Sequence, residues 1–317
     1  MENMAHHAAA FKNLLEKYQK ITILSHVNPD PDAIGTALGV YAWLREQRFQ
    51  VEVVNATKDI PRYLDFLPHF GKIKQKIDFA DSLIIACDCG SLDRLGFVLE
   101  DREIVNIDHH ITNTQYGTLN IVDAKAVSSS EVAFGLLERL YPVLRESAIA
   151  FYAALVSDTR NFTTANMSGA VFDVASKLIA LGVDIPEVTQ KMLHRRSLAS
   201  LRILGVAINS LVLREDAKVA ILKISKEDLK HTGARQSDLD GVVDYAKSLA
   251  TVEIAMMLVE RESSVKVSLR SKKTDVGTLA SFFGGGGHRQ AGGFEKEAKM
   301  QVVTDELLDE IRKRGLL

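Results

Sequence analysis

The sequence predicts an α/β protein: an N-terminal domain built on a parallel sheet with helices on both faces, followed by a smaller C-terminal α/β domain. Two observations carry this expectation. Short apolar runs rich in β-branched residues recur between helical patterns at 21–24, 51–54, 83–86, 104–107 and 119–122, as strands of a sheet covered on both faces do. A second set of runs follows at 219–224, 254–259 and 265–269, and a length of 317 residues favours two domains over one.

Taken in order, Ile21-Thr22-Ile23-Leu24 is the first strand, and the turn after it contains Pro29 and Pro31 ahead of a helix over 33–45 that Asp32 is placed to cap. The runs at Val51, Leu83, Ile104 and Leu119 continue the sheet. Residues 128–181 read as helical: Ser128-Ser129-Ser130-Glu131 offers a helix cap, and an apolar face over 150–156 ends in Ser157-Asp158-Thr159. Residues 1–190 are assigned to the first domain, the polar and basic stretch 191–205 with Arg195, Arg196 and Arg202 to a linker, and 206–317 to the second domain.

Charge narrows the choice of partner. Lys and Arg number 39 against 41 Asp and Glu, a net charge of −2, so no strongly basic surface is available to hold long nucleic acid by counterion release. A nucleic-acid substrate should therefore be short. Cys87 and Cys89 stand at i and i+2 of a strand, on one face but too far apart for easy bridging. A reduced, cytoplasmic setting is expected. No basic segment followed by an apolar run opens the chain, and no stretch of about 18 apolar residues occurs, so neither export nor a membrane is expected.

The chemistry-bearing residues cluster at strand ends. His26-Val27-Asn28-Pro29-Asp30-Pro31-Asp32 follows the first strand, Asp88 ends the third, and Asp108-His109-His110 end the fourth. The carboxyl edge of an open α/β sheet is its usual ligand crevice. Carboxylates and imidazoles bind hard and borderline divalent cations, and so many at one edge suggest a site for two ions. Asp158, at a helix C-terminus, faces the negative end of a dipole and is electrostatically disfavoured unless a cation compensates it. The bland alternatives are that Asp32 and Asp88 only cap local structure and that the histidines are a structural pair.

In Phe282-Phe283-Gly284-Gly285-Gly286-Gly287-His288-Arg289, consecutive glycine N–H groups could approach an anion closely, with a flexible loop as the alternative. Arg270, at the end of the strand 265–269, could add a guanidinium fork. Arg94 and Asn113 are weaker candidates for substrate contact.

Together these motifs resemble the DHH phosphoesterase superfamily over nearly the whole chain. The first motif is His26 to Gly35, Asp108-His109-His110 is the name-giving one, and the glycine-rich C-terminal domain is of the DHHA1 type. The two-domain length is similar to the NrnA-like group, whose members degrade very short RNAs and dephosphorylate 3'-phosphoadenosine 5'-phosphate (pAp). The resemblance implies that His26 and Asp30 hold one cation, that Asp32, His109 and Asp158 hold the other, and that Asp88 bridges both. It implies that His110 lies beside the scissile phosphate, that Asp108 supports the histidines, and that Arg270, His288 and the glycines Gly284, Gly285, Gly286 and Gly287 hold substrate phosphate and nucleotide.

The expected cofactor is a pair of divalent cations. Mixed oxygen and imidazole ligation suits Mn²⁺ better than Mg²⁺, with Co²⁺ also suitable. The expected partners are short single-stranded RNA, dinucleotides and pAp, with no long duplex and no membrane, and a homodimer is admitted. Rival readings are a cyclic or linear dinucleotide phosphodiesterase, a pyrophosphatase or exopolyphosphatase, and a non-catalytic nucleotide-binding module. Two departures from the family pattern, Cys89 after Asp88 and Ala291-Gly292-Gly293 closing the glycine motif, bear on substrate preference.

Overall fold

Six strands pair in parallel in the first of the two units into which the chain divides, Met1–Arg195 and Arg196–Leu317. The computed structural model describes residues 2–193 and 195–317. In chain order the first unit holds α1 (Glu2–Lys17), β1 (Lys20–Ser25), α2 (Pro31–Glu46), β2 (Gln50–Val54), β3 (Ile73–Lys74), β4 (Leu83–Cys87), β5 (Ile104–Asp108), β6 (Leu119–Val122), α3 (Ser129–Leu137), α4 (Arg145–Asp158), α5 (Gly169–Ala180) and α6 (Ile185–Leu193).

The strand order β3-β2-β1-β4-β5-β6 puts the switch in winding direction between β1 and β4, where a crevice opens at the carboxyl ends of the strands. Ser25 pairs with Cys87 and Cys87 with Ile107, so His26, Asp88 and Asp108 arrive at one edge. Right-handed crossovers send the early and late connections to opposite faces. On one face Ile21, Ile23, Ile85 and Val105 pack with Leu38 of α2, Leu136 of α3 and Phe151 of α4. On the other, where helices were also expected, Leu24, Ile84 and Ala86 are covered by Leu95 and Leu99 of a loop that forms only the 3-10 turn Leu92–Leu95. Among the described residues, the connections from β4 to β5 and from β5 to β6 contain no α-helix.

The helical stretch expected over 128–181 is broken into α3, α4 and α5 by the turn at Tyr141-Pro142 and by residues 159–168. Small residues let α2 approach α4 closely. A Cβ on Gly35 would lie 2.6 Å from the Ala150 carbonyl oxygen and 2.8 Å from Ala154 Cβ. Gly35 is one turn from Asp32, and Ala154 one turn from Asp158. The tight crossing therefore sets how far apart these two acids stand.

The second unit comprises α7 (Leu198–Asn209), β7 (Val212–Arg214), β8 (Val219–Ile224), α8 (Lys226–Thr232), α9 (Val242–Lys247), β9 (Ile254–Glu260), β10 (Val265–Ser271), α10 (Val276–Phe282), β11 (Gly286–His288), β12 (Ala291–Lys296) and α11 (Met300–Lys313). Its sheet has the order β11-β12-β10-β9-β8-β7, with β8 and β9 parallel and the other pairs antiparallel. One face packs against α10 and α11, the other against α7 and α9.

Two expectations are corrected here. Residues 198–205, assigned from the sequence to a linker, belong to α7: Ser197 caps it, accepting from Ser200 N at 2.9 Å, and Ile203 and Ala207 are buried in the core of the second unit. Arg202 and the serines mask that periodicity in the sequence. The glycine run is part of a hairpin, with Gly286 opposite Gly293 and Gly287 opposite Gly292. Cys87 and Cys89 are free and buried. Among the described residues no helix is long and apolar enough to cross a membrane.

Candidate metal centre

The turn after β1 gives its two acids different places, and the cap that the bland alternative assigned to Asp32 falls to Asp30. Asp30, not Asp32, is the N-cap of α2, its Oδ1 accepting from Ala33 N at 3.0 Å. Pro31 has no N–H and its φ is preset for a helix, so it takes the first helical position and moves the cap back to Asp30. Asp32 is thereby released into the interior, where it is fully buried. Its carboxylate accepts from Thr36 Oγ1 at 3.0 Å, Ser129 N at 2.7 Å and Ser130 N at 3.3 Å, so it stands at the N-termini of both α2 and α3.

Asp88 follows β4 in a left-handed conformation, φ 55°, which costs a residue with a Cβ about 1 kcal/mol or more and is typical of functional sites. Asp158 is the last residue of α4.

These elements bring three overlapping groups of donors together. His26 Nε2 lies 3.9 Å from Asp30 Oδ2 and 3.5 Å from Asp88 Oδ2. His109 Nε2 lies 3.8 Å from Asp32 Oδ2, 3.4 Å from Asp158 Oδ2 and 3.7 Å from Asp88 Oδ1. Donor atoms of His26, Asp30 and Asp88 fall within 4.8 Å of one another, as do those of Asp32, His109 and Asp158 and those of Asp88, His109 and His110. Asp88 thus presents one oxygen to each histidine.

Both rings are held for ligation through Nε2: His26 Nδ1 is 2.9 Å from the Val27 carbonyl and His109 Nδ1 is 3.4 Å from that of Ala126. An Nδ1–H donated to a carbonyl leaves the lone pair on Nε2. His110 is held differently, with Nδ1 2.7 Å from Asp108 Oδ1.

The electrostatics describe a site with too much buried negative charge. Burial, then the charges of Asp88 and Asp30, push the Asp32 carboxyl well above its ordinary range. Asp158 is pushed up likewise by burial and by Asp32, Asp30 and Asp88, with Arg160 opposing. Burial would raise Asp88 too, but the hydrogen bond and charge of His26, with the charges of His110 and His109, hold it below the carboxylate range. Burial lowers His26 and His110, yet contact with Asp88 and the field of Asp30 raise the first, and contact with Asp108 and the charge of Asp88 raise the second. Four acids and two imidazoles converging where burial and mutual repulsion raise two of the carboxyls make a donor set that fits divalent cations.

Several supporting residues were marked in the sequence only as a helix cap or as weaker candidates for substrate contact. Ser129 Oγ donates to Asp88 Oδ1 at 2.8 Å. Asn113, a candidate for substrate contact, instead donates to Asp108 Oδ2 at 2.5 Å and to Asn106 Oδ1 at 2.7 Å. Arg94 Nη2 lies 3.2 Å from His26 Nδ1; because a guanidinium only donates, it competes with the Val27 carbonyl, at 2.9 Å, for that nitrogen.

In the second unit, Arg270 on β10 is opposite Ala291 on β12, which is opposite His288 on β11, so the three share one row and one face with the small Ala291 between the larger pair. The expectation of a cradle of consecutive glycine amides is corrected in part. Gly284 N and Gly285 N donate to Ser281 O and Ala280 O, each at 3.0 Å, and close the end of α10. A Cβ on Gly285 would meet Gly293 O at 2.1 Å and one on Gly287 would meet Ala291 O at 2.3 Å, whereas Gly286 faces open space. Much of the run therefore serves the packing of the hairpin.

Two family models match the chain: residues 20–169 match the DHH family, N-terminal domain, and residues 216–314 match the DHHA1 domain. The chain is similar to a protein of Thermus thermophilus named bifunctional oligoribonuclease and PAP phosphatase NrnA, 28% identical over 306 residues that cover 94% of this chain and 92% of that one. A Bacillus subtilis protein of the same name is 27% identical over 286 residues, covering 87% and 89%. Among solved structures, an exopolyphosphatase-related protein from Bacteroides fragilis superposes with a TM-score of 0.90 at 28% identity, covering 98% of this chain and 97% of that one.

Proposed function

From a chain whose residues 20–169 match the DHH family, N-terminal domain, and whose residues 216–314 match the DHHA1 domain, we propose a metal-dependent phosphoesterase that hydrolyses very short oligoribonucleotides from one end and dephosphorylates pAp. The observation that carries this reading is the gathering of His26, Asp30, Asp32, Asp88, His109 and Asp158 at the β1/β4 crevice, with an excess of buried acid that cations would neutralise. The full-length similarity to proteins named for these two activities supports it.

In this reading His26 and Asp30 hold one ion, Asp32, His109 and Asp158 hold a second, and Asp88 is common to both. Mn²⁺ suits the mixed carboxylate and imidazole set best, with Mg²⁺ or Co²⁺ as substitutes. When bound, the ions supply Lewis-acid activation of water and neutralise charge developing on phosphoryl oxygens.

The chain's own residues orient and bind. The Val27 and Ala126 carbonyls keep the Nε2 atoms of His26 and His109 directed at the acids. Asp108, fully buried and held by Asn113, anchors Nδ1 of His110 and raises its basicity, and the protonated ring donates its Nε2–H to a phosphate oxygen. Arg270 and His288, in one row, contact a further phosphate, and Gly286 leaves room beside them. A net charge of −2 fits a substrate with few phosphates. The same reading puts the enzyme in the cytoplasm, with Cys87 and Cys89 reduced.

The test is a substrate panel under Mn²⁺: pAp, a ribotrinucleotide, cyclic di-AMP, pyrophosphate and tripolyphosphate. Turnover of pAp and the trinucleotide is expected. Cleavage confined to cyclic di-AMP, or to the inorganic phosphates, would transfer the assignment to the corresponding rival, and nucleotide binding without turnover would make the protein a non-catalytic module.

A further inference from the structure

Ser129, the first residue of α3, touches two of the proposed ligands at once. It is fully buried. Its Oγ donates to Asp88 Oδ1 at 2.8 Å and its backbone N–H donates to Asp32 Oδ2 at 2.7 Å. The next acceptor for the hydroxyl, Asp108 Oδ1, is 3.4 Å away and already receives His110 Nδ1 at 2.7 Å. A hydroxyl has one proton, so the shorter contact with Asp88 takes it.

The side of Asp88 that is engaged matters. Oδ1 is the oxygen 3.7 Å from His109 Nε2, whereas Oδ2 faces His26 at 3.5 Å. Ser129 therefore grips the shared carboxylate on the side of Asp32, His109 and Asp158, and its amide fixes Asp32 in that same group. The terminal torsion of an aspartate is soft, so without a donor on Oδ1 the carboxylate plane is free to turn.

Resting on the cation-binding reading above, we propose that Ser129 is a positioning residue which locks Asp88 to Asp32 and so assembles the Asp32–His109–Asp158 subsite selectively, leaving the His26–Asp30 subsite to its own contacts. The same helical turn contains a control. The hydroxyls of Ser128 and Ser130, both buried, bond to each other at 2.7 Å, and Ser130 reaches Asp32 only through its amide, at 3.3 Å. Ser130→Ala removes a buried hydroxyl from the same place without removing a contact to either acid.

The experiment titrates Mn²⁺ into the full-length wild type, Ser129→Ala and Ser130→Ala by calorimetry, with metal-free thermal unfolding of each variant and steady-state kinetics on pAp. In Ser129→Ala one class of Mn²⁺ site should weaken by about 10–100-fold, the usual effect of removing a partner that orients a ligand, while the other class is unchanged. At saturating Mn²⁺ the loss should lie in kcat rather than in KM. Ser130→Ala should bind both ions as the wild type does. Equal losses in the two variants, or undiminished binding of both ions by Ser129→Ala, would overturn the assignment. A wild type that binds no Mn²⁺ would instead remove the metal centre itself, an outcome the titration separates from failure at Ser129.

Discussion

Asp88 concentrates the demands on this site in one side chain: a left-handed backbone, complete burial, and carboxylate oxygens turned toward different histidines. Asparagine is similar in shape and tolerates the left-handed region, so Asp88→Asn isolates the charge. The variant should fold, by circular dichroism, yet release phosphate from pAp under Mn²⁺ more than about 100-fold slower, beyond the loss typical of a supporting residue.

The neighbouring acids make a second prediction, about pH. Asp32 and Asp158 have folded-state values raised above 3.8, so in the metal-free protein their stabilising protons are present at low pH and lost as pH rises through those values. His26 and His110, raised above 6.5, act in the same direction, their contribution fading as pH climbs through the folded value. Asp88 is depressed, so its contribution is complete above 3.8 and lost only as pH falls below that. In EDTA the Tm should therefore decline as pH rises above 3.8 and go on declining above 6.5, and the rise in Tm on adding Mn²⁺ should grow over the same window. A metal-free Tm that climbs across this window would contradict the charge distribution.

At the level of elements, the acids are positioned by contacts that sequence patterns hardly mark. Asp32 and Asp158 approach because Gly35 lets α2 lie against Ala150 and Ala154 of α4. Gly35→Ala should force the helices apart, costing about 1–3 kcal/mol in urea denaturation and weakening Mn²⁺ binding although the substituted residue touches no ion. A variant that loses stability but keeps its Mn²⁺ affinity would show that this crossing does not set the site. The strands were legible because buried β-branched runs such as Leu83 to Ala86 are local signals. The first turns of α7 were not, because Arg202 and flanking serines obscure the periodicity of Ile203 and Ala207, and the hairpin at Gly286 was not, because glycine-rich strands lack the side chains that mark a strand.

For the whole molecule, a net charge of −2 agrees with the proposed reading of an enzyme that engages few phosphates. The kcat/KM for a ribotrinucleotide should fall only gently with salt, with a log–log slope of about −1 to −2, as about 0.7 per single-strand phosphate contact implies. Long duplex RNA should not be degraded. A slope several times steeper would point to an extended basic track that the composition does not supply.

The sequence by itself determined the alternation of strands and helices, the arrival of acids and imidazoles at strand ends, and the chemical type of ligand they could hold, because each of these is written in neighbouring residues. Only the tertiary structure decided that Asp30 rather than Asp32 caps α2, which ring nitrogen each histidine presents, that Asn113 supports Asp108, that Ser129 joins Asp88 to Asp32, and that most of the glycine run packs a hairpin. Those outcomes depend on distances between segments as far apart in the chain as Asp32 and Ser129. Periodicity and spacing report what a residue's neighbours along the chain allow, whereas the direction of a hydrogen bond is settled by the residues that packing brings against it.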